Sequence, residues 1–227
     1  MLLARLYLNA EVYTGTAQWA KAAEYAKKVM TSDYRLNTTA TGPWSAYQKL
    51  FMGDNGETSA AYEGVFRIAQ DGVKTTSWAG TCFLMASTFD GNMHADVSGA
   101  RPHATNGTGQ TWGGNRARKE LVEKFFPNDD APNISCTQMP AAANDDRAIF
   151  DVIGRTIDNG EGSMEHFTDG FAVAKWNNFK TDGSEGHNDT YPDTDFFLFR
   201  VAEANLIYAE ATARLNGGTT TADGTAA

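Results

Sequence analysis

Cysteine is nearly missing from this sequence: Cys82 and Cys136 are the only two in 227 residues. They stand far apart, without the C-x-x-C spacing of a zinc knuckle or a redox pair. A disulfide and two free thiols both stay open at this level. Long apolar runs are missing as well. Nothing approaches the roughly 18 consecutive apolar residues that cross a bilayer as a helix. The opening stretch MLLARLYLNAEVY is interrupted by Arg5, Asn9 and Glu11 at helical spacing. That pattern makes it a helix rather than the hydrophobic region of a secretion signal. No cysteine that could carry a lipid lies near it, so the chain is expected to be an internal fragment of a longer protein.

Positive charge is in deficit. Lys and Arg number 19 against 28 Asp and Glu, the net charge is -9 and the pI about 4.9. A phosphate backbone would be repelled by such a field, which argues against nucleic acid as a partner. Catalytic motifs are missing too: there is no HExxH, no GxSxG and no P-loop. The four histidines, His94, His103, His166 and His187, fall in loop segments and form no i,i+4 pair. Asp182, Glu185 and Asp189 offer oxygen ligands in an acidic turn but not at the spacing of an EF-hand. The expectation is a protein that is not an enzyme and has no metal or cofactor.

What is present suits a globular fold: 41% hydrophobic and 21% charged residues. The longest helical pattern is Asp193 to Gly218. Phe196, Phe199, Ala202, Leu206, Ala209 and Ala213 recur at three- and four-residue steps. Asp193 and Thr194 are placed to cap its start, and Gly217 and Gly218 to stop it. Glu210 and Arg214 form a favourable i,i+4 pair, and Arg200 lies one turn from Glu203. Near the start, Leu2–Tyr13 predicts a helix with Leu3, Leu6, Tyr7 and Ala10 on one face. After a break at Thr14-Gly15-Thr16, Gln18–Met30 predicts a second, with Trp19, Ala22, Ala23, Ala26, Val29 and Met30 as its stripe. Two helices, a tight turn and small alanines at the contact make a helix hairpin of the tetratricopeptide kind. Between the ends, Glu63–Ile68 and Phe171–Phe179 predict strands and Arg118–Phe126 a helix, with loops elsewhere. The longest loop is Lys74–Gln110.

Aromatic residues are plentiful, and their settings sort them. Trp19 belongs to the hairpin core and Trp176 to a strand, while Trp44 is unassigned. Trp78 and Trp112 lie among Gly, Ser and Thr, where a core role is less natural. Trp112 is followed by Gly113 and Gly114, which let a ligand approach the backbone, and then by Asn115 and Arg116. A flat apolar ring beside fixed polar groups suits a sugar, with its apolar C–H face and rim of hydroxyls. Trp112, Asn115, Arg116 and Trp78 are therefore the candidate ligand-binding residues. The alternative for Trp112 is a lid packed on the helix that follows it.

The order of residues at both ends adds to this. The run Asp-aromatic-Arg-x-Ala-Glu-Ala, Leu-Ile-Tyr-Ala-Glu-Ala, Leu-Asn-Gly-Gly over 195–218 resembles the late helix of the SusD/RagB family. ARLYLNAEVYTG, followed by Trp19, the alanine stripe and Tyr34-Arg35-Leu36, is similar to that family's central repeat. So are Tyr47 to Phe51, the Asp54-Asn55-Gly56 turn, Trp112-Gly113-Gly114 and Glu120-Leu121-Val122. Asp145 and Arg147 match an Asp-x-Arg step that would tie a loop through a bidentate bond.

The resemblance implies a mainly α, SusD-like fold in which tetratricopeptide-type helix pairs support a loop-rich lobe with short strands. The expected organisation is a hairpin over 1–36, a ligand-binding lobe over 37–190, a helix of a further repeat over 191–216 and a polar tail over 217–227, all one domain. It further implies an outer-membrane, surface-exposed lipoprotein that captures oligosaccharides or other nutrients. Such a protein passes its ligand to a SusC-like TonB-dependent transporter. A helical-repeat protein that binds a peptide in its groove is the rival reading.

Overall fold

The computed structural model describes residues 1–89, 91, 93, 106–157 and 164–227. His94 and His103 lie outside them, as does part of the expected loop between Lys74 and Gln110. The chain forms two compact units. The first comprises Met1–Asn37, Ser59–Ile68 and Phe197–Ala227, and the second Thr38–Thr58 and Ala69–Phe196.

The first unit is helical. Helices α1 (Leu2–Leu8), α2 (Ala10–Thr14) and α3 (Trp19–Met30) lie where the sequence places them, with one break it does not show. At Asn9 the side-chain Nδ2 donates to the carbonyl of Arg5 at 2.9 Å. A short amide that bonds the preceding turn competes with the helix ladder, and α1 and α2 part there. Gly15 then closes α2 in the left-handed region at φ 72°. The core is built from small residues. Ala4, Ala22, Ala23 and Ala26 pack with Ile207, Tyr208 and Ala211, and Tyr7 and Trp19 close its edge. Leu3 and Leu6, expected on the inner face of the first helix, are exposed, and the inner positions belong to Ala4 and Ala10.

The second correction concerns the chain's longest helical pattern. Phe196–Arg200 is extended and forms a strand, here β4, and the helix α7 begins only at Val201 and runs to Leu215. Four aromatic or branched-chain residues in a row, FFLF, favour a pleated surface over a helix. β4 is paired with β1 (Gly64–Ile68) in a two-stranded sheet. Gly64 permits this contact, because a Cβ there would stand 3.1 Å from the Phe197 ring. A stripe counted from Phe196 is therefore out of phase with the true helix. The buried face is Val201, Ala204, Ile207, Tyr208 and Ala211, while Leu206 is 71% exposed. The two expected caps work elsewhere: in the second unit, Asp193 accepts from the Gly72 N–H and the Thr194 hydroxyl donates to the Asn177 carbonyl, each at 2.8 Å.

Glu203 holds Arg5 through a fork of 2.6 and 2.7 Å, and Arg200 reaches Glu63 at 3.1 Å. Arg214 and Glu210 pair at 2.7 Å as the spacing predicts. The expected polar tail contains a turn of helix, α8 (Ala222–Ala226), whose start is capped by the Thr221 hydroxyl accepting from the Gly224 N–H at 3.0 Å.

The second unit has little regular structure. It contains α4 (Thr81–Thr88), α5 (Lys119–Val122), α6 (Met139–Ala143) and the antiparallel pair β2 (Phe150–Asp151) and β3 (Ala172–Val173), in register Phe150 with Val173. Val122, Phe126, Met139, Ala148, Phe150 and Phe171 form its core. Three expectations shift here. α4 lies inside the stretch expected to be loop. Its CFLMA run is apolar on all sides, so it shows no amphipathic period, and Cys82, Met85 and Ala86 are buried. The helix expected over Arg118–Phe126 keeps only its first turn. Beyond Val122 the N–H groups of Lys124 and Phe125 bond three residues back, to Leu121 and Val122, tightening the turn toward 3₁₀ geometry. The strand expected over Phe171–Phe179 ends at Val173. After it, the backbone N–H of Ala174 goes to Ile149, that of Asn177 to Phe51 and that of Asn178 to Asn106, three different partners rather than one ladder. Asp145 and Arg147 do form the expected fork, at 2.9 and 2.7 Å.

Irregular buried backbone needs side-chain partners for its N–H and C=O groups. Asn178 supplies them at the centre of this unit and is 1% exposed. Its Nδ2 donates to the carbonyls of Gly107 (3.2 Å) and Asn188 (2.8 Å), and its Oδ1 accepts from the Asp193 N–H at 2.8 Å. Gly186 packs so close that a Cβ there would lie 2.5 Å from that oxygen. Asn55, fully buried, does similar work: it donates to the carbonyls of Leu50 and Asp195 and accepts from the Asp195 N–H.

Candidate ligand-binding site

Trp112 is set by the end of α4. Its backbone N–H donates to the Ala86 carbonyl at 2.8 Å, the Gly113 N–H to Phe89 at 2.8 Å and the Asn115 N–H to Ser87 at 2.9 Å. The last carbonyls of a helix have no partner within it, so segment 112–115 serves as their cap. Gly113 and Gly114 take φ values of 69° and 108°, in the left-handed region that favours glycine. The indole lies beside α4, edge-on to Phe83 with centroids 6.3 Å apart.

Trp78 joins it. The two indoles are 5.8 Å apart and tilted by 35°, and Tyr191 meets Trp78 edge-on at 5.1 Å. Trp78 is 52% exposed, Phe83 50% and Trp112 42%. An exposed group of large rings loses free energy to water unless something covers it, and such patches mark binding surfaces. The rings are also held in place. The Trp112 Nε1 donates to Gln110 Oε1 at 3.2 Å. The loop leading to Trp78 is anchored by the Gly72 N–H on Asp193, and a Cβ at Gly72 would run into the Tyr191 carbonyl. In the same loop the backbone N–H groups of Lys74 and Val73 hold the Asp71 carboxyl below its usual range. Asn188 Oδ1 accepts from the N–H groups of Thr190 and Tyr191 and so fixes the turn that presents the tyrosine.

The two tryptophans singled out in the sequence thus stand together, while the two polar candidates face other tasks. Asn115 Nδ2 donates to the Ser87 hydroxyl at 2.8 Å. Arg116 Nη1 donates to the His166 carbonyl at 2.6 Å, and its guanidinium lies 6.0 Å from the Phe167 ring. Sequence reasoning missed Phe83, Tyr191 and Gln110. Phe83 sits in an apolar run that looks like core, and Tyr191 in a polar turn far along the chain. Only the exposure of one and the stacking of the other set them apart.

Asp182 is occupied by the Ser184 N–H and hydroxyl, which hold its carboxyl low. Among the described residues no group of three or more His, Cys, Asp and Glu side chains is placed to hold a metal ion, and no helix is long and apolar enough to cross a membrane.

Both cysteines are free thiols and buried. Burial pushes both up, Cys136 to about 12, with the Asp151 carboxylate adding to it. Only the thiolate reacts with alkylating agents and disulfides. Neither thiol is expected to react with a disulfide reagent at pH 8 until denaturant is added, after which both should react at once. The same shift affects stability: above the ordinary thiol value of 9.0 the unfolded chain gives up this proton while the folded one keeps it. The Cys136 contribution to stability is present below about pH 9 and falls as pH rises from there toward the folded value.

The SusD family model matches residues 13–225 of the chain. Starch-binding protein SusD of Bacteroides thetaiotaomicron is 39% identical over 250 residues, spanning 97% of this chain and 42% of its own length. Among solved structures, a SusD superfamily protein from Parabacteroides distasonis aligns over 98% of this chain and 40% of its own, with a TM-score of 0.56 and 17% identity. Surface glycan-binding protein A from Bacteroides uniformis aligns over 98% of this chain and 39% of its own, with a TM-score of 0.51 and 18% identity. The chain spans about two fifths of the length of these relatives. The structural likeness speaks for the fold, which is mainly helical with short strands, and the sequence match over nearly the whole chain for descent: this chain belongs to the SusD family.

Proposed function

We propose that this chain binds glycans non-covalently and that the group formed by Trp78, Trp112, Phe83 and Tyr191 is the surface that receives them. The observation that carries the reading is the placement of two half-exposed tryptophans and two further rings side by side, each held by the backbone around it. Sugar rings stack their C–H faces on such a surface, and Gln110, beside Trp112, supplies an amide to a hydroxyl. The name of the starch-binding relative supports an oligosaccharide as the ligand. No bond need be made or broken for that task.

By the family resemblance, the complete protein would sit at the outer-membrane surface and hand its ligand to a SusC-like TonB-dependent transporter. The test is a glycan array with the full chain, followed by calorimetry on the best hit. Saturable binding of an oligosaccharide with no new reducing ends after incubation is the expected result. Binding to peptides and to no glycan, or the appearance of reducing ends, would refute the proposal. Co-purification of the full-length protein with a TonB-dependent transporter tests the partner separately.

A further inference from the structure

A second concavity, sharing no residue with the ring group, lies within the second unit and encloses about 270 Å³. Pockets for drug-sized ligands run from roughly 300 to 1,000 Å³, so this one holds a single ring rather than a chain of them. Its floor is apolar: Met52, Cys136 and Ile149 are buried there, and Ala174 adds a methyl group. Trp44 and Phe179 are half-buried walls, and Gly183 and Thr137 are exposed at the rim.

What the lining can offer a ligand is set by what its oxygens already do. Gln48 Oε1 accepts from the Ser45 N–H at 2.9 Å, and Asn177 Oδ1 accepts from the Phe179 N–H at 2.8 Å. An amide end that faces an N–H is its oxygen, so the other end of each is an NH2 with two donors. Neither NH2 has a partner among the described residues. The Thr137 hydroxyl pairs with that of Ser135 at 2.8 Å, so every side-chain oxygen in the lining is engaged. Backbone carbonyls along the cleft are engaged too: those of Met52, Ile149 and Phe179 accept from the N–H groups of Asn55, Ala174 and Gly53, and that of Asn177 from the Thr194 hydroxyl. The Lys175 ammonium sits over the Phe51 ring, 4.1 Å from its centre, and a neutral ligand makes no demand on its charge.

We propose that this cleft binds an acetyl group carried on a single sugar-sized ring. The methyl enters the apolar floor, the carbonyl oxygen accepts from Gln48 and Asn177, and the ring lies against Trp44 and Phe179. A carbonyl oxygen accepts and donates nothing, so it serves the amides and leaves no group of its own unpaired. A hydroxyl in the same place brings a hydrogen for which the side chains of the lining hold no unengaged oxygen, and a site of this kind rejects a group it leaves unpaired. An acetamide on an amino sugar and an acetate ester on a neutral sugar share this chemistry, the acetamide N–H being left to water at the rim. The site goes beyond the ring group, and either can be wrong without the other.

The test measures binding of N-acetylglucosamine, glucose and methyl 2-O-acetylglucoside to the full chain by calorimetry and by tryptophan fluorescence. N-acetylglucosamine is expected to bind saturably with a Kd of about 1 mM, and glucose at least about tenfold more weakly. Tighter binding of the acetamide than of the ester identifies an amino sugar as the source, and the reverse identifies an acetylated neutral sugar. Gln48→Glu and Asn177→Asp each keep the oxygen that accepts the backbone N–H and remove the NH2 donors. Each should cost at least about tenfold in affinity for N-acetylglucosamine with an unchanged melting temperature. Trp44→Ala, which removes one wall, replaces either variant that fails to fold and should cost as much. Equal affinity for glucose or no saturation by about 20 mM would overturn the assignment. So would unchanged affinity in every folded variant, because the sugar would then sit at the ring group instead.

Discussion

Trp112→Ala is expected to weaken oligosaccharide binding about thirtyfold and to leave the fold as it is. A ring face that covers roughly 80 Å² of apolar ligand surface contributes about 2 kcal/mol at 25 cal/mol/Å², and 1.4 kcal/mol is a factor of ten. The indole is 42% exposed, so little packing is lost with it. Its backbone bonds to Ala86, through which segment 112–115 caps α4, survive the substitution. Trp112→Phe keeps a smaller ring and should fall between the two. Trp78→Ala should have an effect of similar size, because Trp78 also props Tyr191 at 5.1 Å and its loss frees both neighbours. The two substitutions touch one another and are not expected to add. Retention on affinity gels cast with the glycan, together with circular dichroism, gives the comparison. If retention is unaltered in both alanine variants while the fold is intact, the ring group does not receive the ligand.

The largest loss of stability is expected from Asn178→Ala. The side chain satisfies two carbonyls and one N–H in the interior, at Gly107, Asn188 and Asp193. Each buried group left without a partner costs about 1–3 kcal/mol. Water entering the space relieves part of this, which leaves a loss of about 3–5 kcal/mol, a large fraction of the stability of an ordinary domain. Asn178→Asp is of the same size but turns the donating end toward two carbonyls with no proton to give, so it should be no better. Urea unfolding followed by fluorescence reads the difference. A loss below about 1 kcal/mol in both variants would mean that the surrounding loops find other partners. Because Asn188 and Asp193 also fix Tyr191 and the loop of Trp78, milder substitutions here should weaken glycan binding without touching a ring.

How much of this was legible in the sequence can be seen residue by residue. The hairpin of α2 and α3 is a local matter: Gly15 is the stop, and alanines at three- and four-residue steps face the core. The Asp145–Arg147 fork and the Glu210–Arg214 pair are equally local and form as the spacing says. The tryptophans flanked by glycine, serine and threonine stood out as rings without a natural core setting, and in the structure both are exposed. Asn115 and Arg116 stood out as polar neighbours of Trp112, but each gives one donor to a partner from elsewhere in the chain, Ser87 and His166. The rest of the site was not legible because proximity across the fold leaves no trace in spacing. Phe83 and Tyr191 join the tryptophans only when α4 and the Asn188 turn are in place.

By itself, then, the sequence determined what depends on neighbours along the chain: where the first helices start and stop, which turns are polar, and which rings lack a core setting. Tertiary structure decided what depends on partners distant in the chain. Phe196–Arg200 became a strand where β1 offered it an edge, although its apolar residues read with Ala202, Leu206 and Ala209 as one helical stripe. The inner face of α7 was chosen by the alanines of α3, which left Leu206 exposed. The physical reason is the same in both cases: a periodic pattern says that one face will be buried, but burial is contact, and only the element that arrives to make contact selects which face it is.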